Sequence, residues 1–264
     1  MNLALAYPLP APAPAPEQGI EIAVRELEVS YRRRGTVFSQ VSFEIRRGDR
    51  VSLVGSNGAG KSTLLKALLG FVAPSAGSIN VLGQQLSVSD TRALRELRAS
   101  IGFVAQKHNL VPRLSVLSNV VHGTLGGRPG PFRWFHGIAP DEVRRRALAA
   151  LDRVGLAHLA LQRADSLSGG QSQRVAIARA LVSEPRLILA DEPVASLDPA
   201  AGEDVMQVFE EVVRAEGATL IFTTHSLDHA TRYADRVLGL CHGTLRIDSA
   251  SHALAAGEIR ALYG

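Results

Sequence analysis

Cysteine and lysine are almost missing from this chain of 264 residues. A single cysteine, Cys241, cannot form an intrachain disulfide, and this agrees with a reducing cytosol. Lysine occurs only at positions 61, 66 and 107, so 26 of the 29 basic residues are arginines. A lysine that falls inside a recognisable pattern is therefore unusually informative.

Long hydrophobic runs are also missing. No stretch approaches the roughly 18 apolar residues that a membrane-spanning helix needs, so any function at a membrane requires another chain to cross it. The N-terminus lacks the basic region and the uninterrupted apolar segment of a secretory signal. Residues 1–19 instead carry an Ala-Pro repeat, which predicts an extended or disordered tail without an assigned function.

The charge is unbalanced but not concentrated. A net charge of +4 and an isoelectric point of about 9.6 could suit nucleic acid or the anionic inner face of a membrane. No long basic run gathers that charge in one place, and biased codon usage explains the arginines equally well. We therefore expect no nucleic-acid partner.

The stretch GSNGAGKST, Gly55–Thr63, fits the spacing G-x-x-x-x-G-K-[ST] of a phosphate-binding loop. It follows an apolar run, Arg50–Val54, that predicts a buried strand, and it opens a helical pattern that stops at Gly70. Glycines let backbone N–H groups approach phosphate oxygens, and the helix N-terminus adds positive potential. A glycine-rich turn before an ordinary helix is the alternative, but one of only three lysines falls here. The predicted nucleotide ligands are Gly55, Ser56, Asn57, Gly58, Ala59, Gly60, Lys61, Ser62 and Thr63, with Lys61 on the β and γ phosphates and Ser62 on Mg²⁺.

The pattern along the chain predicts an α/β protein. Alternating runs between Ile20 and Ile45 predict antiparallel strands. The run Ile101–Gln106 predicts a strand that ends on a polar residue. The near-continuous apolar runs Arg186–Glu192 and Thr219–His225 predict parallel strands buried on both faces. Amphipathic helical patterns fill about 107 to 180 and interrupt that sheet. Ser168 within this region and Asp90 before it are predicted helix N-caps.

Acidic and polar residues stand where these buried strands are expected to end. Ligands of parallel α/β sheets bind beyond the carboxyl ends of the strands, so Asp191 should face the Mg²⁺ beside Ser62, and Glu192 could take a proton from an attacking water. Solvent-exposed acids at a strand end are the alternative. Gln106 and His225 are unremarkable alone, but they are predicted to share the same edge of the sheet.

The stretch LSGGQ places a second anion-binding helix start on the helical insertion, through Ser168 as N-cap and the freed amides of two glycines. A chain with two phosphate-binding elements on separate lobes is explained if two chains pair head-to-tail. The LSGGQ element of each chain would then cover the nucleotide bound by the other. The residues of this element are Leu167, Ser168, Gly169, Gly170 and Gln171.

These motifs, with SLD at 196–198 and a histidine at 225, stand in the order and spacing of ATP-binding-cassette (ABC) ATPases, which the chain resembles over about residues 20 to 250. The resemblance implies a P-loop NTPase fold with a RecA-like core sheet, an N-terminal antiparallel β subdomain, a helical subdomain at about 107–180 and a C-terminal helix at 251–264. It implies ATP and Mg²⁺ as cofactors and a homodimer of cassettes.

The same resemblance implies a role for each motif residue. Tyr31 would stack on adenine, Gln106 would touch Mg²⁺ and the membrane partner, Asp198 would communicate across the dimer, and His225 would contact the γ-phosphate. Together with Glu192, Gln106 and His225 form the predicted catalytic set, and Ser62, Gln106 and Asp191 form the predicted metal set. Two departures, Ser172 after the signature and His108 after Gln106, remove no catalytic group.

A finer resemblance points to the ATPase subunit of phosphonate importers. It rests on QKHNLVPRLSVLSNVVHGTLG, LADEPVASLDP and a terminus ending LYG. It implies permease subunits, a periplasmic binding protein and a peripheral place on the cytoplasmic face of the inner membrane. Importers of phosphite, hypophosphite or phosphate esters, an exporter ATPase and a non-transport ABC protein remain as alternatives.

The insertion RPGPFRWFHG carries three large aromatic residues within four positions. Such residues are costly to leave in water, so residues 129–136 either pack on their own helical lobe or help to dock a permease. The sequence leaves both interpretations open.

Overall fold

A computed structural model describes residues 19–31, 35–87, 89–126, 136–254 and 257–258. The predicted Ala-Pro tail lies outside the described residues apart from Gly19, and the aromatic insertion lies outside them apart from His136 and Gly137. Most of the predicted C-terminal helix over 251–264 also lies outside, and its described part begins with a 3₁₀ turn, Ser251–Ala253.

An antiparallel sheet occupies the N-terminal part of the fold. Its strands are β1 (Ile20–Tyr31), β2 (Gly35–Arg46), β4 (Ala76–Val81) and β5 (Gln84–Gln85). Their order is β2-β1-β4-β5, and β1 pairs antiparallel with both β2 and β4. The predicted antiparallel pair is confirmed, because alternating apolar residues of both strands face one core.

A second sheet of six strands carries the predicted parallel runs. Its strands are β3 (Arg50–Val54), β6 (Ile101–Val104), β7 (Leu187–Ala190), β8 (Thr219–Thr223), β9 (Arg236–Cys241) and β10 (Thr244–Ala250). The order is β10-β9-β3-β8-β7-β6, with only β10 antiparallel to its neighbour. The carboxyl ends of β3, β6, β7 and β8 therefore lie along one edge.

The predicted strands were too long at that edge. Strands β6, β7 and β8 each end two residues before the predicted end, at Val104, Ala190 and Thr223. Beyond those points the chain continues as loops. The predicted site residues therefore stand on loops that start from the sheet edge.

Seven α-helices complete the described fold. They are α1 (Lys61–Leu68), α2 (Thr91–Ala99), α3 (Val116–Val121), α4 (Asp141–Arg153), α5 (Gly169–Leu181), α6 (Pro199–Glu216) and α7 (Leu227–Arg232). The predicted caps Asp90 and Ser168 each accept a hydrogen bond from a first-turn N–H. Among the described residues no helix has the length and apolar character needed to span a bilayer.

Helix α3 is short. It ends at Val121 and continues as a 3₁₀ turn, His122–Thr124. A Cβ on Gly123 would lie 2.0 Å from the carbonyl oxygen of Arg179, so the chain here runs directly against the backbone of α5. Glycine permits this approach and is also a poor helix former.

The six-stranded sheet is buried on both faces. Alternate residues of β7 illustrate this: Leu187 and Leu189 join the core beneath the antiparallel sheet and α1, while Ile188 and Ala190 join the core beneath α3 to α6. Side chains of a strand point to opposite faces in turn, so an uninterrupted apolar run fits this sandwiched position.

Glu21 is a buried carboxylate that ties the antiparallel sheet to the core sheet. It is 2 % exposed, and its Oε2 accepts a hydrogen bond of 2.5 Å from the Thr219 hydroxyl. The same hydroxyl accepts from the N–H of Gly48 at 2.8 Å, and Arg186 donates to Oε1 of Glu21 at 3.0 Å. Thr219 therefore serves two buried groups at once.

The Thr219→Val variant is expected to lower the free energy of unfolding by about 1–3 kcal/mol, because it leaves the Gly48 N–H and one oxygen of Glu21 without their partner. Urea denaturation measures this change. Thr231→Val is the matched control, since that hydroxyl bonds only carbonyls of its own helix, at 3.1 and 3.4 Å. Equal losses in the two variants would contradict the role of Thr219.

Candidate nucleotide site

The loop between β3 and α1 has a backbone that requires glycine at particular positions. Gly55 has φ of 149°, and a Cβ there would lie 2.3 Å from the carbonyl oxygen of Leu240. Gly60 has φ of 100° and is the N-cap of α1. The first N–H groups of α1 have no partner within the helix, so this loop presents free donors at a positive helix end.

Lys61 lies at the first turn of α1 and is only 6 % exposed. Its Nζ donates to the carbonyl oxygen of Gly55 at 2.8 Å and to that of Ser56 at 3.3 Å. Burial lowers the pKa of Lys61, while the negative charges of Glu192 and Asp191 act in the opposite direction. The loop thus holds a buried cation whose charge is incompletely compensated by the protein.

Asp191 connects the loop to the sheet edge. Its Oδ1 accepts hydrogen bonds from the hydroxyls of Ser62 and Thr223, both at 2.9 Å. Its backbone N–H donates to the carbonyl oxygen of Val104 at 2.8 Å, which continues the pairing of β6 with β7. Contacts from α1, β6 and β8 therefore fix Asp191 beside the Ser62 hydroxyl.

Glu192 is held on both carboxylate oxygens. Nε2 of Gln106 donates to Oε2 at 3.1 Å, and Nε2 of His225 lies 2.7 Å from Oε1. The backbone of Glu192 adopts φ of 48°, a left-handed conformation that is uncommon for non-glycine residues, and its N–H donates to the Thr223 hydroxyl at 2.7 Å. The three residues predicted to share the sheet edge do meet there.

The donor set beside the loop fits Mg²⁺. Ser62 and Asp191 supply a hydroxyl and a carboxylate 2.9 Å apart. Mg²⁺ usually binds one or two carboxylates, keeps several waters and takes its remaining ligands from substrate phosphates. In the described parts of the chain no cluster of three or more His, Cys, Asp or Glu side chains could hold a metal ion.

LSGGQ forms a compact cap at the start of α5. The Ser168 side chain accepts from the Gln171 N–H at 3.2 Å, and the Gln171 side chain accepts from the Ser168 N–H at 3.0 Å, which is a capping box. A Cβ on Gly169 would lie 3.1 Å from Cδ2 of Leu197. In the described residues no hydrogen bond joins this cap to Gly55–Thr63.

Asp198 stands next to this cap, as the N-cap of α6. Its Oδ1 accepts from the N–H of Ala201 at 3.0 Å. Leu167 and Leu197 both pack on the core beneath α3 to α6, so the LSGGQ cap and the segment before α6 lie side by side. The predicted site residues therefore form two groups, one at the sheet edge and one at the starts of α5 and α6.

A search against protein-family models matches residues 38–195 of this chain to the ABC transporter family. This chain belongs to the ABC transporter family. The match spans the phosphate loop, both acids after β7 and the LSGGQ cap, and it identifies the chain as an ABC-type ATPase cassette.

Curated relatives of the cassette carry a common name. A "Phosphonates import ATP-binding protein PhnC 1" from Pseudomonas aeruginosa (strain UCBPP-PA14) is 45 % identical over 248 residues, covering 92 % of this chain and 88 % of that protein. A "Phosphonates import ATP-binding protein PhnC" from Rhizobium meliloti (strain 1021) is 43 % identical over 229 residues, covering 87 % and 82 %.

Solved structures of similar fold are ABC cassettes. CbiO1 from Clostridium perfringens, described as part of the ABC transporter complex cbiONQ, aligns with a TM-score of 0.78 and 31 % identity over 89 % of this chain and 90 % of that one. The cassette MJ0796, solved as a dimer in a post-hydrolysis state with ADP and Pi, aligns with a TM-score of 0.75 and 30 % identity over 88 % and 100 %. The fold predicted from the sequence is confirmed.

Sequence reasoning overlooked one polar residue of the cassette's site. Thr223 is fully buried, donates to Asp191 and accepts from Glu192, so it orients both acids. A threonine at the end of an apolar strand, two residues before His225, was the available signal. Tyr31, predicted to stack on adenine, lies at the end of β1 and is 39 % exposed.

Proposed function

We propose that this cassette is the ATP-hydrolysing subunit of an importer for phosphonates or a related phosphorus oxyanion. The observation that carries the hydrolytic part is Glu192, which is held between Gln106 and His225 directly beside Asp191 and Ser62. The substrate class is supported by the names of relatives that are 40–45 % identical over most of the chain.

The loop Gly55–Thr63 binds the triphosphate in this proposal. Its glycines keep side chains out of the way of the phosphates, and the free N–H groups at the start of α1 donate to their oxygens. Lys61 exchanges its loop carbonyls for β and γ phosphate oxygens, which compensates its buried charge fully. Tyr31 stacks on the adenine ring from the end of β1.

Ser62, Asp191 and Gln106 would hold Mg²⁺, which when bound neutralises charge between the β and γ phosphates. Ser62 and Asp191 are already 2.9 Å apart, so little rearrangement is needed there. Gln106 instead donates to Glu192, so it would have to turn its amide oxygen toward the metal.

Glu192 acts as the general base. A carboxylate accepts the proton of a water that is aligned with the γ-phosphate, and positioning of that water supplies most of the catalysis in phosphoryl transfer. The left-handed conformation of Glu192 and the hydrogen bond from its N–H to the Thr223 hydroxyl fix the backbone from which the carboxylate extends. His225 holds one oxygen of Glu192 and can donate from the same nitrogen to the γ-phosphate once nucleotide is present.

The LSGGQ residues complete the site across a homodimer. Leu167 to Gln171 and Asp198 form one continuous surface that makes no hydrogen bond to its own phosphate loop in the described residues. Paired head-to-tail, the start of α5 of one protomer donates its free N–H groups to the γ-phosphate bound by its partner. Asp198 then lies at the seam between the two nucleotides.

The dimer would bind two copies of a transmembrane permease at the cytoplasmic face of the inner membrane, as a peripheral subunit. Gln106 stands between the hydrolytic carboxylate and the helices α3 to α5, where it can sense such a partner. A periplasmic binding protein would supply the substrate, and the cassette itself would never touch the transported anion.

Substrate-stimulated ATP hydrolysis tests this proposal. The full chain is reconstituted in proteoliposomes with the permease and binding protein encoded nearest to it, and methylphosphonate, phosphite, phosphate and sulfate are added in turn. We expect methylphosphonate to raise turnover above the basal rate and sulfate to leave it unchanged. A complex carrying Glu192→Gln controls for contaminating ATPases.

Stimulation by sulfate or another unrelated substrate alone would refute the phosphorus-oxyanion assignment while leaving the ATPase assignment intact. Absence of any hydrolysis in the wild-type complex, with all subunits assembled, would refute the hydrolytic assignment as well. The two parts of the proposal are thereby tested separately.

A further inference from the structure

The segment after Gln106 is tied to the helices rather than to the sheet. Arg179, on α5, donates from one guanidinium nitrogen to the carbonyl oxygen of His108 at 2.6 Å and from another to that of Asn109 at 2.8 Å. Asn109 adopts φ of 51°, a left-handed conformation that asparagine takes up more readily than most non-glycine residues. Two consecutive carbonyls thus converge on one side chain 70 residues away along the chain.

Arg179 is an unusual choice for this task. Burial lowers the pKa of its guanidinium, and no carboxylate among the described residues pairs with it. Its charge is met by backbone carbonyl dipoles instead. Arg179 is half-buried, and the planar fork of its guanidinium lets it donate to two neighbouring carbonyls at once.

Two further contacts fix the same segment. The Nδ1 atom of His108 forms a hydrogen bond with the side-chain oxygen of Gln173. Gln173 is fully buried, and its Nε2 has no hydrogen-bond partner in the described residues. On the other side, Asn119 of α3 accepts from the Val111 N–H at 2.7 Å and donates back to the Val111 carbonyl at 3.2 Å.

Gln106 therefore stands at a junction. Two residues before it, β6 ends in the sheet at Val104; two residues after it, the chain is clamped to α5. The Gln106 amide reaches Glu192 at 3.1 Å from this short unclamped span. The position of α5 consequently sets where the amide can reach.

We propose that Arg179 is a positioning residue for ATP hydrolysis, which holds the segment His108–Asn109 on α5 and thereby sets the contact of Gln106 with Glu192. The inference rests on the proposed hydrolytic role of Glu192. It makes one unit of α5, its LSGGQ start and the segment His108–Asn109, so a displacement of the signature in the dimer moves the adjoining Gln106 and, through it, acts on the general base of the same chain.

Arg179→Met, in the purified full chain, is expected to lower kcat by about 10- to 100-fold, the scale of a misplaced catalytic group. KM and the Kd for ATP should change by less than about threefold, because the phosphate loop is untouched. Arg179→Lys keeps the charge but cannot reach both carbonyls with a planar fork, so its turnover should be intermediate.

Arg98→Met is the matched control. Arg98 also donates to two consecutive carbonyls, those of Leu69 at 2.8 Å and Gly70 at 3.1 Å, but it does not touch the segment after Gln106. Its removal should leave turnover within about twofold of wild type. Amide hydrogen exchange across 107–111 should rise in Arg179→Met and stay unchanged in Arg98→Met.

A double-mutant cycle with Gln106→Ala separates positioning from a general loss of stability. If Arg179 acts through Gln106, adding Arg179→Met to Gln106→Ala lowers kcat no further. Losses that multiply would overturn the proposal, as would wild-type turnover in Arg179→Met beside an inactive Glu192→Gln. An active Glu192→Gln would instead refute the hydrolytic role on which the inference rests. If Arg179→Met does not fold, Arg179→Lys carries the same cycle.

Discussion

ATP turnover is expected to fall by about 10²- to 10⁴-fold when Glu192 is replaced by glutamine, the usual scale for the loss of a general base. The change is nearly isosteric, and Gln106 can rotate its amide to accept from the new NH₂ group, so the arrangement at the sheet edge is retained. The substitution removes the capacity to take a proton from water, together with the negative charge of the carboxylate. Steady-state ATPase measurements on the full chain test this directly.

The same variant should accumulate an ATP-bound dimer. Glutamine lacks the negative charge that repels the γ-phosphate, while every group proposed to contact the phosphates remains. Size-exclusion chromatography with ATP and Mg²⁺ should show a dimer that persists in Glu192→Gln and dissociates in wild type. Turnover near the wild-type value in Glu192→Gln would exclude Glu192 as the base.

Glu211→Gln provides the control for a change of one charge. Glu211 is an exposed acid of α6 whose described hydrogen bond is to Gln207, one turn earlier on the same helix, at 3.0 Å. Its substitution should leave both turnover and the dimer equilibrium unaltered, since surface substitutions away from special features change little. A matching defect in this variant would point to net charge rather than to proton transfer.

The residues that could be predicted at the sheet edge are those that stand in short motifs whose pattern itself implies their chemistry. A phosphate loop needs glycine where φ is positive, as at Gly55 and Gly60, and it needs one cation at the helix start. Acids placed after a buried strand reach the same edge, whatever the rest of the chain does. These features depend on a few neighbouring residues, which explains why they can be read from one sequence.

Thr223 and Arg179 could not be predicted in the same way. Each acts on residues 31 to 71 positions away. The place of Thr223 at the end of an apolar strand is a weak signal, and Arg179 stands in no distinctive local pattern. The boundaries of β6 to β8 were also misplaced, because a polar residue after an apolar run can end a strand or begin a loop. Tertiary neighbours decide between these outcomes, and a single sequence does not carry them.

Lys61 is the residue on which nucleotide affinity should depend most. In the protein alone it is buried, its pKa is lowered by that burial, and its donors are occupied by two loop carbonyls. A triphosphate brings the opposite charge that the protein does not supply in full. Truncating one partner of such a buried charge pair costs roughly 2–5 kcal/mol of binding free energy.

Lys61→Ala is therefore expected to raise the Kd for ATP by about 30-fold or more, since each 1.4 kcal/mol corresponds to a factor of ten. Folding should be preserved, because the substitution removes a buried cation rather than leaving one unpaired. Titration with a fluorescent ATP analogue measures the affinity, and thermal unfolding without nucleotide verifies the fold. Lys66→Ala is the matched control, since Lys66 lies on the same helix with its side chain exposed to solvent. It should bind ATP as wild type does. An unchanged Kd in a folded Lys61→Ala protein would remove the phosphate loop from the nucleotide site, because this chain has no other lysine on that loop to take its place.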